Sequence, residues 1–95
     1  MRVTVRFFAV YRDIAGGKEQ QIEFDAHASV ETLLEALFRR SPRLRQEIVD
    51  DDGNLREYVG VLANGRHVRD LKGLPTPLAD GDVVSLFPPV AGGTP

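Results

Sequence analysis

The sequence SVETLLEALFRR at residues 29–40 has the pattern of a single amphipathic helix. Ser29 precedes the apolar run in the position of an N-cap, and Glu31 lies in the first turn, where the helix dipole favours a negative charge. The apolar residues are spaced three and four apart, as expected for one buried face: Val30, Leu33, Leu34, Leu37 and Phe38. Because Pro42 disfavours helical geometry at the residue before it, we expect the helix to end near Arg40.

Strand patterns precede this helix. Polar and apolar residues alternate in RVTVRF at residues 2–7 and again in QIEF at residues 21–24, where Ile22 and Phe24 lie on the inner side. The glycine pair at positions 16 and 17 can adopt the positive φ angles of a chain reversal. The sequence therefore predicts a hairpin, joined by a glycine turn, ahead of the helix.

Further strands follow the helix, after RLRQEIV at residues 43–49, which can add a short turn of helix, and an acidic loop. The segment YVGVLANG indicates a strand entering an Asn-Gly turn, a strong hairpin signal. The remaining predicted elements are a short strand around His67 and Val68, a loop over residues 70–82 and a final strand, VVSLF, at residues 83–87.

This order of elements predicts an α+β fold. A hairpin, then one main helix crossing a mixed sheet, with the last strand running centrally beside the first, matches the β-grasp or ubiquitin-like arrangement. The 95 residues suffice for one core. We expect a β-grasp domain at residues 1–88 and a flexible C-terminal tail at residues 89–95.

Composition argues against several classes of function. With 12 Lys and Arg against 14 Asp and Glu, the chain has no basic stripe for nucleic acid. It has no cysteine, and no apolar run reaches the length of a membrane span, so we expect a cytoplasmic protein. His27 and His67 have no neighbouring ligands at metal-binding spacing, so we predict no metal site, and no arrangement of Ser, His and Asp indicates a catalytic triad.

The C-terminal sequence PPVAGGTP has an order of residues that fraying alone does not explain. The prolines at positions 88 and 89 fix φ and end the strand ladder, so the chain leaves the sheet in extended form. Beyond them, Val90 and Ala91 lead to Gly92 and Gly93, whose backbone no side chain obstructs. Six extended residues reach on the order of 20 Å, which is far enough to enter the active site of another protein.

Three segments resemble the small sulfur-carrier proteins of the MoaD/ThiS family. LADGDVVSLFPPVAGG at residues 78–93 is similar to the end of MoaD-type members, and RFFA at residues 6–9 is similar to their first strand. VLANGRHVRDLKGLPTPLADGD at residues 61–82 resembles a longer branch that includes the cysteine-pathway carrier CysO. The resemblance implies a ubiquitin-like fold and a carrier protein that is a substrate of enzymes and is not itself one.

The resemblance also implies partners and a reaction. An E1-like enzyme would use ATP to adenylate the carboxylate of a terminal glycine, and sulfur would then replace one oxygen to give a thiocarboxylate. The ATP would bind to that enzyme, so no cofactor is expected on this chain. A synthase subunit or sulfur-transfer enzyme would accept the sulfur, and the pathway implied first is molybdopterin synthesis, in which this chain would be the synthase small subunit, or alternatively the cysteine pathway.

The resemblance assigns roles to individual residues. Gly93 would be activated, Gly92 would be its unobstructed neighbour, and Val90 and Ala91 would line the channel of the partner. Partner docking would use Phe8, Phe87 and the position of His67. The alternation alone is equally compatible with cross-strand packing as the role of Phe8 and Phe87.

Thr94 and Pro95 depart from the family pattern, because Gly93 is then held in a peptide bond. The sequence therefore indicates a precursor, and the resemblance implies that a zinc metalloprotease of the JAMM type would remove the two residues. Alternatives are a residual extension of no consequence and a carrier that has lost its chemistry. Two other functions stay open: a ubiquitin-like modifier that forms isopeptide bonds with lysines, and a β-grasp interaction module with an inert tail.

Overall fold

The first and last strands of the chain lie side by side at the centre of one sheet. In a computed structural model, which describes residues 1–89, β1 (Arg2–Phe7) and β7 (Val83–Phe87) are parallel, with Val5 opposite Val84. The neighbouring strands are antiparallel and complete the order β2-β1-β7-β4-β5, where β2 is Glu19–Glu23, β4 is Gly60–Ala63 and β5 is Arg66–His67. The predicted β-grasp arrangement, with the last strand central, is confirmed.

The helix α2 (Val30–Arg40) covers one face of this sheet, and its predicted bounds are confirmed. Ser29 is its N-cap: the Thr32 backbone N–H donates to Ser29 Oγ over 3.3 Å, and the Ser29 N–H donates to Thr32 Oγ1 over 2.6 Å. This reciprocal pair satisfies two donors at the start of the helix. The buried face of α2 packs on the inner residues of the strands, and the core includes Val3, Val5, Phe7, Leu33, Leu37, Val61, Val84 and Leu86.

The prediction of a simple glycine turn between β1 and β2 is wrong. The two strands are antiparallel as expected, but a short helix, α1 (Val10–Ala15), lies in the connection. Gly16 ends this helix with a φ of 83°, so its left-handed freedom serves a helix C-cap. The pattern was missed because α1 has six residues and buries only Tyr11, which is too little for a helical period to emerge.

The segments around α2 are more ordered than predicted. Residues that were expected to add a short turn form a second helix, α3 (Pro42–Ile48), with Pro at its first position. The predicted loop contains β6 (Pro77–Leu78), which pairs with β3 (Ala28–Ser29) in a separate two-stranded sheet. Val68, assigned from sequence to a short strand, begins a turn of 3₁₀ helix. Strands of two residues, such as β3 and β6, are too short to be recognised from an alternating pattern.

The part of the chain that the structure describes has neither a membrane-spanning helix nor a metal-binding cluster. No helix within residues 1–89 is both long and apolar enough to cross a membrane. The same part of the chain holds no group of three or more His, Cys, Asp or Glu side chains that could bind a metal ion.

The buried hydroxyl of Tyr11 makes the stability of the fold sensitive to alkaline pH. The side chain is fully buried, and its hydroxyl donates to the Glu47 carbonyl over 3.4 Å. Burial, and secondarily the charge of Glu47, raise the pKa of Tyr11 to about 12, against the opposing effect of Arg56. In the unfolded chain a tyrosine ionises near pH 10, so above that pH proton loss favours the unfolded state.

We therefore predict that the free energy of unfolding falls between about pH 10 and pH 12, by up to about 1.4 kcal/mol per pH unit from this group. Tyr11→Phe should remove this component, since phenylalanine does not titrate. Urea unfolding of both proteins at pH 7 and at several alkaline pH values measures the difference. Parallel pH profiles for the two proteins would contradict the assignment.

Candidate functional site

The outer face of the sheet carries an apolar group of side chains at the edge where β7 ends. Phe8 and Phe87 are half-buried and stack on each other, with ring centroids 4.1 Å apart and planes 13° from parallel. The Phe8 N–H donates to the Leu86 carbonyl over 3.2 Å, which holds the chain after β1 against β7. The structure therefore brings the two predicted docking aromatics together.

Gly60 provides the space that Phe87 occupies. The two residues are paired across β4 and β7. A Cβ on Gly60 would lie 3.1 Å from Phe87 Cβ and 3.5 Å from its Cδ2, so a larger residue would displace the phenylalanine. A missing side chain in the middle of a sheet commonly marks such a close approach. Gly60 thus contributes to the position of the stacked pair.

Leu62 extends the apolar group and was missed in the sequence. It pairs with Ser85 on one side and with His67 on the other, so these three residues share the outer face. The signal was present, because Leu62 falls between the buried Val61 and Ala63 and is therefore an apolar residue at an outward position. We call Phe8, Phe87, Gly60, Leu62 and His67 the tail-end surface.

His67 uses both ring nitrogens within the protein. Its Nδ1 accepts from the Arg69 N–H over 3.1 Å, so the neutral ring carries its proton on Nε2, which lies 3.2 Å from the Val59 carbonyl. The imidazole thus joins the turn before β4 to the 3₁₀ helix after β5. Docking by His67 stays a prediction, and the structure adds this bridging role.

An ion pair lies beside the tail-end surface. On the neighbouring strands Arg6 lies 3.6 Å from Glu19, and both side chains are about half exposed. An exposed pair of this kind contributes little to stability. The apolar group is therefore bordered on the β2 side by a balanced pair of charges.

The predicted tail residues Val90, Ala91, Gly92 and Gly93 lie outside the described residues, as do Thr94 and Pro95. What the structure does establish is where the chain leaves the sheet. β7 ends at Phe87, and Pro88 and Pro89 follow at the edge that carries the tail-end surface. The chain therefore continues toward residues 90–93 from this edge.

The chain is similar to known proteins over almost its whole length. The model of the ThiS family matches residues 5–93. The chain belongs to the ThiS family. It is 42% identical to small archaeal modifier protein 3 of Haloferax volcanii, over 98% of this chain and 100% of that protein. It is also 34% identical to the sulfur carrier protein CysO of Mycobacterium tuberculosis, over 98% of this chain and 100% of that one.

A solved structure of another family member has the same fold. The crystal structure of SAMP1 from Haloferax volcanii superimposes with a TM-score of 0.86 at 33% identity and covers 98% of this chain and 100% of its own. This chain therefore has the ubiquitin-like fold that was inferred from its sequence, and its relatives are carrier and modifier proteins.

The stacking of Phe8 on Phe87 predicts an energetic coupling between them. Each ring is half-buried, so Phe8→Leu and Phe87→Leu should each lower the free energy of unfolding modestly. The double variant should lose less than the sum of the two, by about 0.5–1.5 kcal/mol, because the stacking term can be lost only once. Urea unfolding of the four proteins measures this term, and strictly additive losses would show that the rings do not interact.

Proposed function

We propose that this protein is a sulfur carrier, which an E1-like enzyme adenylates at Gly93 and which then holds sulfur there as a thiocarboxylate. The observation that carries the proposal is that the family match extends beyond the end of the last strand. The sheet ends at Phe87, whereas the family match continues to Gly93. Family likeness thus extends through six residues that follow the last strand and end in two glycines.

The reaction follows from the chemistry of a carboxylate. A carboxylate is a poor electrophile. Attack of a carboxylate oxygen on the α-phosphorus of ATP releases pyrophosphate and forms an acyl adenylate, in which AMP is a good leaving group on the glycyl carbonyl. A hydrosulfide ion then attacks that carbonyl, displaces AMP and leaves the thiocarboxylate; where a persulfide attacks instead, a thiol cleaves the acyl disulfide that forms and is itself oxidised to a disulfide. Since this sequence has no cysteine, the nucleophile belongs to a partner or to a small-molecule donor. The contribution of this chain is a narrow backbone and a docking surface.

Maturation must precede activation in this proposal. Thr94 follows Gly93, so the glycine carboxyl is bound in an amide until the Gly93–Thr94 bond is hydrolysed. A zinc metalloprotease of the JAMM type is the proposed agent. Cleavage after the second glycine yields the carboxylate that the activating enzyme requires.

Two sulfur pathways fit the proposal. The Pro-Pro-Val sequence before the glycines favours molybdopterin synthesis, in which this chain would be the small subunit of the synthase. Similarity to CysO over nearly the whole chain favours the cysteine pathway. The two pathways are distinguished by incubating the thiocarboxylate form with each acceptor enzyme of the host and measuring its intact mass. Only the true acceptor should take up the sulfur and convert the carrier back to its carboxylate form.

A second candidate function is conjugation to proteins. It is favoured by the 42% identity to small archaeal modifier protein 3. The same acyl adenylate, or a thioester made from it, would react with a lysine amine and release its leaving group, forming an isopeptide bond. Adducts in cells that disappear in a Gly93→Val variant would support this role, whereas a carrier alone forms none.

We predict that a chain ending at Gly93 supports ATP–pyrophosphate exchange by the E1-like enzyme of the host, and that the 95-residue chain does not. With a sulfur donor added, the intact mass of the shorter chain should increase by the exchange of one oxygen for sulfur. The physical reason is that only the shorter chain has its carboxylate on Gly93, whereas the 95-residue chain holds the Gly93 carboxyl in a peptide bond and has its carboxylate on Pro95.

Gly93→Val in the shorter chain is the matched control, since it retains a carboxylate but adds a branched side chain at the reacting residue. This variant should have the same free energy of unfolding as the unsubstituted chain ending at Gly93, but it should not support ATP–pyrophosphate exchange. Exchange by the 95-residue chain without cleavage would contradict the maturation step. Normal function in cells after deletion of residues 92–95 would contradict the carrier function altogether and favour the inert interaction module.

A further inference from the structure

The turn before β4 displays an aromatic side chain on a strained backbone. Tyr58 is 76% exposed, and its φ is 71°, in the left-handed region. Asn64 also has a positive φ, but it lies in an Asn-Gly hairpin turn where that geometry is usual. For a bulky residue such as tyrosine the conformation is an outlier, and strain of this kind concentrates at binding sites.

Side chains from two other elements hold this turn in place. Arg69, in the 3₁₀ helix Val68–Asp70, donates from Nη2 to the Arg56 carbonyl over 2.6 Å and from Nη1 to the Val59 carbonyl over 3.4 Å. His67 Nε2 lies 3.2 Å from the same Val59 carbonyl. On the other side, Arg56 Nε donates to the Gln46 carbonyl in α3 over 2.7 Å. The residues flanking Tyr58 are fixed while its ring is left exposed.

Tyr58 lies at the same edge of the sheet as the tail-end surface. It lies two residues before Gly60, which is paired with Phe87, the last residue of the final strand. His67 belongs to both features, because it shares a face with Leu62 and also contacts the turn. A protein that binds the chain leaving β7 therefore meets Tyr58 at the same edge.

Charges of both signs lie beside Tyr58, so the exposed ring itself defines the chemistry of its partner. The ion pairs found within residues 1–89 are Arg2 with Glu23 and Arg6 with Glu19, so neither Arg56 nor Arg69 has a carboxylate within 4 Å. Both guanidinium groups bond to backbone carbonyls. Glu57 and Asp70, the sequence neighbours of Tyr58 and Arg69, are exposed and each carry a negative charge. Because these charges balance, the exposed ring favours an apolar pocket on the partner surface.

We propose that Tyr58 is an anchor residue for the E1-like activating enzyme, inserting its ring into an apolar pocket, and that Arg69 and His67 are positioning residues that hold it there. Tyrosine is enriched among the residues that dominate binding energy at protein interfaces. The inference rests on the proposed function, because it names a contact that the activation step requires.

The first test is a comparison of Tyr58→Ala with the wild type, both as chains ending at Gly93. In ATP–pyrophosphate exchange we expect KM for the carrier to rise about 10- to 30-fold with kcat unchanged, because the contact positions the body of the carrier and not the reacting carboxylate. Tyr58→Phe should retain most of the affinity. Lys72→Ala, at an exposed site preceding β6, is the matched control and should leave KM unchanged.

A second variant separates binding from folding. Tyr58→Gly removes the ring but suits a positive φ, so its melting temperature should equal or exceed that of the wild type while KM rises as in Tyr58→Ala. A role in folding alone predicts the reverse, namely a lower melting temperature with an unchanged KM. That result would overturn the proposal.

The positioning role is tested by a double-mutant cycle. Arg69→Ala should raise KM in the wild-type background and have little further effect in the Tyr58→Ala background, because both changes remove one contact. Equal effects in the two backgrounds would overturn the role of Arg69. If the wild-type chain supports exchange and Tyr58→Ala is indistinguishable from it, the anchor is overturned and the proposed function stands. If the wild-type chain neither binds the enzyme nor supports exchange, both fail.

Discussion

The parallel pairing of β1 with β7 is the constraint on which the rest of the structure depends. Strands joined by a long connection can be parallel, and parallel neighbours end at the same edge of a sheet. Phe7 and Leu86 are opposite each other, so Phe8 and Phe87 emerge together and stack. The same pairing places α1, which follows β1, and the chain leaving β7 at one edge. A single pairing thus locates the two phenylalanines, for which docking is predicted, beside the point where the chain leaves the sheet.

The opposite edge of the sheet is closed by hydrogen bonds that fix the register of β7. Asp82 accepts from the Ala79 N–H and from the Asn64 side chain, and Asn64 in turn accepts from the Val83 N–H. Asp80 accepts from the Arg2 N–H. Gly81, with a φ of 87°, permits the tight turn between the two aspartates. Because a shift of one residue would turn Phe87 inward, this distant network determines which side chains the tail-end surface displays.

Sequence patterns predicted the fold correctly where a buried face repeats over several residues or a turn has a fixed geometry. The alternation of β1 and β7, the three-four spacing of α2 and the Asn-Gly turn all reappear in the structure, since each buries a full face or fixes a turn geometry. Features shaped by tertiary contacts were missed, namely α1 and the pairing of β3 with β6. The same division holds at the site. Phe8 and Phe87 could be predicted from resemblance, whereas the exposed Tyr58 turn depends on side chains of Arg69 and His67 that only the fold brings to it.

The location of the site at one edge has a consequence for the order of partners. Proteins that handle residues 90–93 would approach where β7 ends, and among the described residues the accessible apolar side chains there are few: two half-buried phenylalanines, Leu62, Tyr58 and Val10 at the start of α1. Partners that use this edge therefore exclude one another, so protease, activating enzyme and sulfur acceptor would act in succession. A small surface with a few anchor residues suits that requirement, because affinity must be sufficient for each encounter and low enough for release. Discrimination between partners then depends on the charges around the shared aromatics, and at this edge Arg56, Arg69 and Glu57 are the groups placed to provide it.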